Sequence, residues 1–229
     1  ATPMSIMVGV GRGAQAGILI KNAEALERME RVDTLVVDKT GTLTEGKPKV
    51  VAIVPAKEFT EVAVLTLAAS AERASEHPLA LAIVREASDR KIALSEVSEF
   101  DSPTGKGVTG TVDGRKLVLG NAKFLAEFGV SPDSLQAEAE RLRLEGATAI
   151  FLAVDGAPAA VFAIADPVKP TTPEAIRALT AENIRVVMLT GDNRTTAEAV
   201  ARRLGIAEVE ADVLPEQKST IIEKLRAEG

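Results

Sequence analysis

Two short polar strings, each standing at the end of an apolar run, are where this sequence could do chemistry. Asp38-Lys39-Thr40-Gly41-Thr42-Leu43-Thr44 follows the apolar, largely β-branched run from Thr34 to Val37, and Thr190-Gly191-Asp192 follows the run from Ile184 to Leu189. A carboxylate presented at a strand end, in a loop whose backbone N–H groups can cradle a phosphoryl group, can attack phosphorus and become an acyl phosphate. That chemistry needs a divalent cation and lysines to offset the charge on both reactants. Asp38 is the candidate nucleophile. Taken alone, Asp38 also reads as a capped strand end at which Gly41 turns the chain.

The elements that must present these loops are written in the periodicity. A continuous apolar run reads as a strand buried on both faces, and therefore as part of a parallel sheet. Thr195 to Leu204 reads as a helix closed by Gly205. Thr172-Pro173 is a cap followed by proline at the first helical position, opening a helix to about Glu182, and Pro215 opens another that runs to the terminus. Strands alternating with helices predict an open α/β sheet whose ligands sit at the strand carboxyl ends.

The middle of the chain has a different grammar. Two helices, about Thr60 to Ala74 and Pro78 to Arg90, precede short strands joined at Asp113-Gly114 and Asp155-Gly156, both strong hairpin signals. Ser131-Pro132-Asp133 starts a further helix that ends near Gly146. This is an α+β arrangement on an antiparallel sheet, inserted into the first. The expected hinges are Glu45-Gly46-Lys47-Pro48 on the way out and Asp166-Pro167 on the way back.

Composition narrows the function classes. With 229 residues, 46% hydrophobic and 26% charged, the chain suits one large or two modest packed domains. A net charge of -6 and the lack of a polybasic run argue against nucleic acid and anionic lipid as partners. Without cysteine there is neither a disulfide nor a thiolate metal site, and one histidine excludes a His-rich zinc site. The longest nearly uncharged stretch, Ala1 to Gly11, falls far short of the roughly 20 apolar residues that span a bilayer, so no part of the chain is expected to be membrane-inserted. Arg12 follows that stretch rather than preceding it, unlike a signal peptide, and the opening Ala1-Thr2-Pro3 reads as a cut edge. Six Phe with no Trp or Tyr leave the core to aliphatic side chains and few rings to stack a base.

The string from Asp38 to Thr44 closely resembles the signature of P-type ATPases, ion pumps that form a phosphorylated aspartate, and the resemblance covers almost the entire chain. It implies ATP as substrate, Asp38 as the residue phosphorylated, and Mg2+ held by the Asp38 carboxylate and the Thr40 carbonyl. Soluble phosphatases of the haloacid-dehalogenase-like superfamily usually carry a second aspartate two residues after the nucleophile, as acid and then base. Here that residue is Thr40, which cannot serve near neutral pH, so an aspartyl phosphate should persist. Thr190-Gly191-Asp192 resembles the loop whose threonine hydroxyl and backbone hold the transferred phosphate. Pro215 and Lys218 resemble the proline-to-lysine element whose lysine neutralises it. Asp166-Pro167-Val168-Lys169 resembles the Asp-Pro element at the hinge, beside the nucleotide.

Ser75-Glu76-His77-Pro78-Leu79 narrows the resemblance to the heavy-metal-transporting branch, which implies that Glu72 and His77 lie beside the adenine. His77 also reads as a cap on the helix of Pro78. Gly105-Lys106-Gly107 resembles the branch's glycine pair, where absent side chains let the nucleotide approach the backbone, and Gly120-Asn121 resembles a further element of that pocket. The segment from Ala1 to Gly9 resembles the stretch just after the metal-binding membrane helix in the copper(I) subgroup, and Val10 to Lys21 should lead from that helix towards the phosphorylation domain. The family's later Gly-Asp-Gly-x-x-Asn-Asp element, with a magnesium-ligating aspartate, is not among the 229 residues.

The expected fold is therefore a haloacid-dehalogenase-like parallel-sheet phosphorylation domain, C-terminally incomplete, with an inserted α+β nucleotide-binding domain. Its expected parts are a membrane-proximal segment, 1–30, a discontinuous phosphorylation domain, 31–47 and 165–229, and a nucleotide-binding domain, 48–164. The resemblance places this region on the cytoplasmic face of a membrane, with transmembrane and actuator domains of the same pump as partners. Two other readings stay open, a nucleotide-binding chain without turnover and a soluble haloacid-dehalogenase-like phosphohydrolase.

Overall fold

In the middle of the chain, alternating apolar residues and two left-handed turns build a six-stranded antiparallel sheet in the order β2-β7-β6-β5-β4-β3. Its strands are β2 (Lys49–Pro55), β3 (Val97–Asp101), β4 (Gly107–Val112), β5 (Arg115–Gly120), β6 (Thr148–Val154) and β7 (Ala157–Ala165). The hairpins turn where expected, with φ of 50° and 74° at Asp113-Gly114 and 50° and 82° at Asp155-Gly156. The computed structural model describes residues 3–103 and 105–227, so Ala1 and Thr2 of the opening segment and the last two residues lie outside it.

Both faces of this sheet are covered. Helices α3 (Glu61–Glu72) and α4 (Pro78–Asp89) pack Leu65, Ala68 and Ile83 against Val108, Leu119 and Phe162 on one face. On the other, α5 (Ala122–Glu127) and α6 (Asp133–Leu144) bring Leu125, Leu135 and Leu142 against Phe151 and Val161. Successive residues of β7 serve opposite cores, so Val161, Phe162, Ala163 and Ile164 are all buried.

A smaller parallel sheet, in the order β1-β8-β9, is made of β1 (Thr34–Asp38), β8 (Arg185–Leu189) and β9 (Glu208–Glu210). Helices α7 (Thr172–Ala181) and α8 (Arg194–Leu204) flank it, contributing Ile176, Val200 and Leu204 to a core around Val186 and Met188. Asn193 caps α8, and Gly205 ends it at φ 73°. Three local expectations are corrected. β1 is half-buried throughout, not buried on both faces, because it is an edge strand that pairs with β8 alone. Thr172 does not cap α7 with its side chain, since its hydroxyl donates instead to the Leu43 carbonyl at 2.8 Å. Pro215 starts a single 3-10 turn, and the helix proper, α9 (Lys218–Ala227), begins three residues later.

The chain passes between the sheets twice, and the two passages are tied together. Thr44 and Val168 form an isolated antiparallel bridge, and the Glu45 N–H donates to the Pro167 carbonyl at 2.8 Å. Away from this crossing, the Thr196 hydroxyl of α8 donates to the Ala147 carbonyl at 2.9 Å, just before β6. Before β1 come α1 (Pro3–Gln15) and α2 (Ala23–Met29), which expose Met4, Met7, Val8 and Met29. Among the described residues no helix is long and apolar enough to cross a membrane.

Candidate active site

Parallel pairing of β1 with β8 runs from Thr34 opposite Arg185 to Asp38 opposite Leu189. The loops that begin at Lys39 and Thr190 therefore leave the sheet side by side. After Asp38 the chain turns through Lys39 to Leu43, with Gly41 left-handed at φ 77° and the Thr44 N–H closing the turn on the Lys39 carbonyl at 3.1 Å. Lys218, the first residue of α9, places its ammonium 3.0 Å from Asp38 Oδ2. Both side chains remain partly exposed, so a ligand can reach them.

The facing loop is held from behind. Thr190 is 1% exposed, and its hydroxyl oxygen accepts from the Asp192 N–H at 3.1 Å. Val213 and Asp212 donate to the carbonyls of Thr190 and Asp192 at 3.1 and 2.8 Å. A Cβ at Gly191 would sit 3.3 Å from the Val213 carbonyl, so the tight approach favours glycine. Lys39 is almost wholly buried and pairs its ammonium with Asp192 Oδ2.

Asp166 and Lys169 lie at the crossing. The Asp166 carboxylate accepts from the Gly46 and Lys47 N–H groups at 3.1 and 3.0 Å and from the Thr44 hydroxyl. A hydroxyl has one proton, and the anion wins it from the Lys39 carbonyl, which lies 3.0 Å from the same oxygen. The Lys169 ammonium donates to the Gly41 carbonyl at 2.7 Å. Both residues, expected beside a nucleotide, here spend their polar groups on joining the two passages of the chain.

The other expected nucleotide residues belong to the six-stranded sheet and its helices. Glu72 ends α3 at 6% exposure, and burial pushes its carboxyl up to about 7 against the opposing pull of a hydrogen bond with Ser75. Among the described residues its Oε2 has no hydrogen-bond partner. His77 caps α4 by accepting from the Leu79 N–H at Nδ1, 3.2 Å away, which puts the neutral ring's proton on Nε2. Partial burial draws its pKa below the ordinary value. The cap and a donor at Nε2 are thus properties of one tautomer.

The glycines divide. Gly105, at φ 73°, has open space where a Cβ would stand. Gly107 and Gly120 face each other across β4 and β5, and the space their side chains would occupy is already filled. A Cβ on Gly107 would fall 2.1 Å from the Leu119 carbonyl, one on Gly120 would fall 2.6 Å from the Lys106 carbonyl, and Phe124 Cδ1 crowds both. Close packing of strands under Phe124 by itself requires glycine at both of these positions, whereas Gly105 leaves the space of a side chain open. Asn121 caps α5, accepting from the Phe124 N–H at 2.9 Å.

A metal ion has few protein donors here. Among the described residues no three His, Cys, Asp or Glu side chains converge as a metal-binding group. The Asp38 carboxylate and the Thr40 carbonyl are hard oxygen donors, and Mg2+ that arrives on phosphates needs only one or two such groups from the protein. The donor set fits magnesium carried in with a nucleotide.

The profile of the haloacid dehalogenase-like hydrolases matches residues 32–229, which takes in both loops and both sheets. The chain belongs to that family. Within it, this haloacid dehalogenase-like chain is 55% identical over 229 residues to a silver exporting P-type ATPase of Salmonella typhimurium, covering 100% of the chain and 28% of that protein. It is 55% identical to a copper-exporting P-type ATPase of Legionella pneumophila subsp. pneumophila, covering 100% of the chain and 31% of that protein. The chain thus spans well under half the length of these curated relatives. Among solved structures, it is similar to a zinc-transporting PIB-type ATPase in the E2.Pi state, with a TM-score of 0.75, 35% identity, and 98% and 36% of the two chains covered. A second, the catalytic domain of the CPx-ATPase CopB-B, gives a TM-score of 0.69, 29% identity, and 92% and 73% coverage.

Sequence reasoning put Asp38, Thr190, Gly191 and Asp192 at strand carboxyl ends, where the structure has them, and the resemblance alone pointed to Lys218, which the structure brings to 3.0 Å from Asp38. It passed over Lys39, Thr44 and Thr172, whose side chains hold the loop in place. Lys39 carried a signal, a lysine directly after an acid at a strand end, but its partner is 153 residues away and no local pattern points to it.

Proposed function

We propose that this chain is the phosphorylation and nucleotide-binding part of a heavy-metal P-type ATPase that exports copper(I) or silver(I). The observation that carries the reading is Asp38, a carboxylate at the end of a parallel strand with the Lys218 ammonium 3.0 Å away and the Thr190 loop alongside. In the reaction an Asp38 oxygen attacks the γ-phosphorus of Mg-ATP. The bond from that phosphorus to the bridging oxygen breaks, and ADP leaves with its electron pair. Lys218 shifts from the carboxylate to the transferred phosphoryl oxygens, where its charge is needed. The Asp38 carboxylate and Thr40 carbonyl would hold the magnesium, which offsets phosphate charge when bound. Thr40, two residues past the nucleophile, offers neither acid nor base, so the acyl phosphate waits for a group supplied from elsewhere.

Residues 31–47 and 165–229 form the phosphorylation domain in this reading, 48–164 bind the nucleotide, and 1–30 lie near the membrane. The exposed Met4, Met7 and Val8 of α1 suit apolar neighbours such as transmembrane helices; on this reading the region lies on the cytoplasmic face, with an actuator domain as a further partner. Identity of 55% to silver and copper exporters, against 35% to a zinc transporter, favours a monovalent soft ion. The small protein donor set for magnesium favours, as a second reading for the 229 residues themselves, nucleotide binding with little turnover.

Incubation with γ-labelled Mg-ATP followed by acid quench separates the readings. The expected result is slow, substoichiometric, acid-stable label that disappears in Asp38→Asn, without steady phosphate release. Rapid multiple-turnover release abolished by Asp38→Asn would instead identify a soluble phosphohydrolase, and no label at all a binding module.

A further inference from the structure

We propose that Lys39 and Asp192 are positioning residues, a buried ion pair that sets the spacing between the nucleophile loop and the Thr190 loop. The proposal rests on the reading of Asp38 as the phosphorylated residue. Backbone pairing between β1 and β8 stops at Asp38 opposite Leu189, and the other residues that would handle a phosphoryl group lie beyond that point. Among the described residues, the Lys39 to Asp192 contact is the one hydrogen bond that crosses from residues 39–47 to residues 190–193. It continues the register of the ladder into the loops where backbone bonds have run out.

Burial gives the contact consequence. The two side chains are 9% and 20% exposed, so the Lys39 charge has little water to turn to and depends on Asp192. A pair of apolar side chains would fill the same space without the desolvation cost, so packing alone does not account for charge here. Connectivity adds a second reason. Lys39 reaches past its neighbour Asp38 to Asp192, which among the described residues leaves Lys218 as the cation paired with Asp38. Without Lys39, Asp192 would lose the partner that holds its loop against residues 39–44. Without Asp192, the Lys39 ammonium would be free to fall back on Asp38 and mask the nucleophile.

The test is a double-mutant cycle of Lys39→Met, Asp192→Asn and the combination. Two quantities are read on each: the single-turnover rate of acid-stable label from γ-labelled Mg-ATP, and the calorimetric Kd for ATP. Each single change should slow labelling roughly 100-fold, because misplacement of reacting groups by about 1 Å costs on that order, and the double change should slow it by no more than either single change. ATP affinity should stay within about twofold of the unaltered chain. Lys39→Arg should restore about a tenth or more of the rate, since it can still reach a carboxylate. Losses that multiply in the double variant, or an ATP affinity that falls in step with the rate, would overturn the proposal. If the unaltered chain takes no label, the proposed function has failed at Asp38, and amide exchange then decides about the pair. In Lys39→Met the Asp212 N–H, bonded to the Asp192 carbonyl at 2.8 Å, should exchange at least about tenfold faster with the β1–β8 ladder unchanged. Unaltered exchange there would show that the pair holds nothing in place.

Discussion

Burial at the end of α3 raises the Glu72 carboxyl to about 7, whereas in the unfolded chain it titrates near 4.5. Between these values the native state keeps a proton that the unfolded state has lost. The resulting stability is complete below about pH 4.5 and is lost as pH rises through 7. The amount is on the order of 3 kcal/mol. Urea melts of the 229-residue chain should therefore show a fall in stability from about pH 5 to about pH 8 that is missing in Glu72→Gln. A ligand group that satisfies the unpaired Oε2 should be lost in the same variant. His77 needs a more careful substitution, because its ring does two things. His77→Ala removes the cap of α4, at about 1 kcal/mol, together with any contact to a nucleotide. His77→Asn can still cap but lacks the Nε2 donor, so calorimetry should find ATP affinity reduced while the melt is nearly unchanged. Asp38→Asn should leave ATP affinity intact or raise it, having removed a negative charge that faces the phosphates. The opposite ranking would mean that the nucleotide is not held where Glu72 and His77 stand.

At the scale of elements, the informative structure is the crossing between the two sheets. Three donors converge on the Asp166 carboxylate, and two of them are backbone N–H groups of the outgoing passage. Asp166→Ala should release Gly46 and Lys47 to rapid amide exchange and lower stability by about 2 kcal/mol, while strand amides inside either sheet stay protected. Loss of protection throughout would show that the crossing is part of a core, not a joint. Elements fixed by local rules were legible in the sequence. Asp-Gly turns need left-handed backbone at both positions, and a Pro after a cap or a Gly after a helix acts within a few residues. Features that escaped depend on partners remote in sequence. β1 reads as doubly buried because its residues are apolar, yet burial is set by how many strands flank it, which its own residues do not encode. Thr172 has the makings of a cap, but a carbonyl 129 residues away claims its hydroxyl. Gly107 and Gly120 stand where Phe124 and a neighbouring backbone carbonyl leave no space for a side chain, a constraint that a glycine alone does not reveal.

At the scale of the molecule, each sheet has its own core, and the larger one is complete between the two passages of the chain. Residues 48–164 expressed alone should melt cooperatively, keeping the β2–β7 ladder except its last pair, Lys49 opposite Ala165. A gradual, non-cooperative melt would move the boundary. The Thr196 to Ala147 hydrogen bond ties the two sheets' elements away from the crossing, and it is not needed for that core. The insertion also bears on the order in which the molecule assembles. β1 and β8 must find each other across most of the chain, and the residues tied at their crossing, Thr44 and Asp166, are 122 positions apart. Closing so long a loop is entropically costly, and each halving of its effective length recovers about 0.6 kcal/mol. Once the larger sheet has formed, β2 and β7 lie side by side and deliver the two passages to each other, so the remaining loop is only a few tens of residues, roughly two halvings. The six-stranded sheet thus acts as a clasp that is fastened first. In pulsed amide labelling during refolding, β6 and β7 should gain protection before β1 and β8, and the parallel sheet should form only after its two distant strands have been handed to one another.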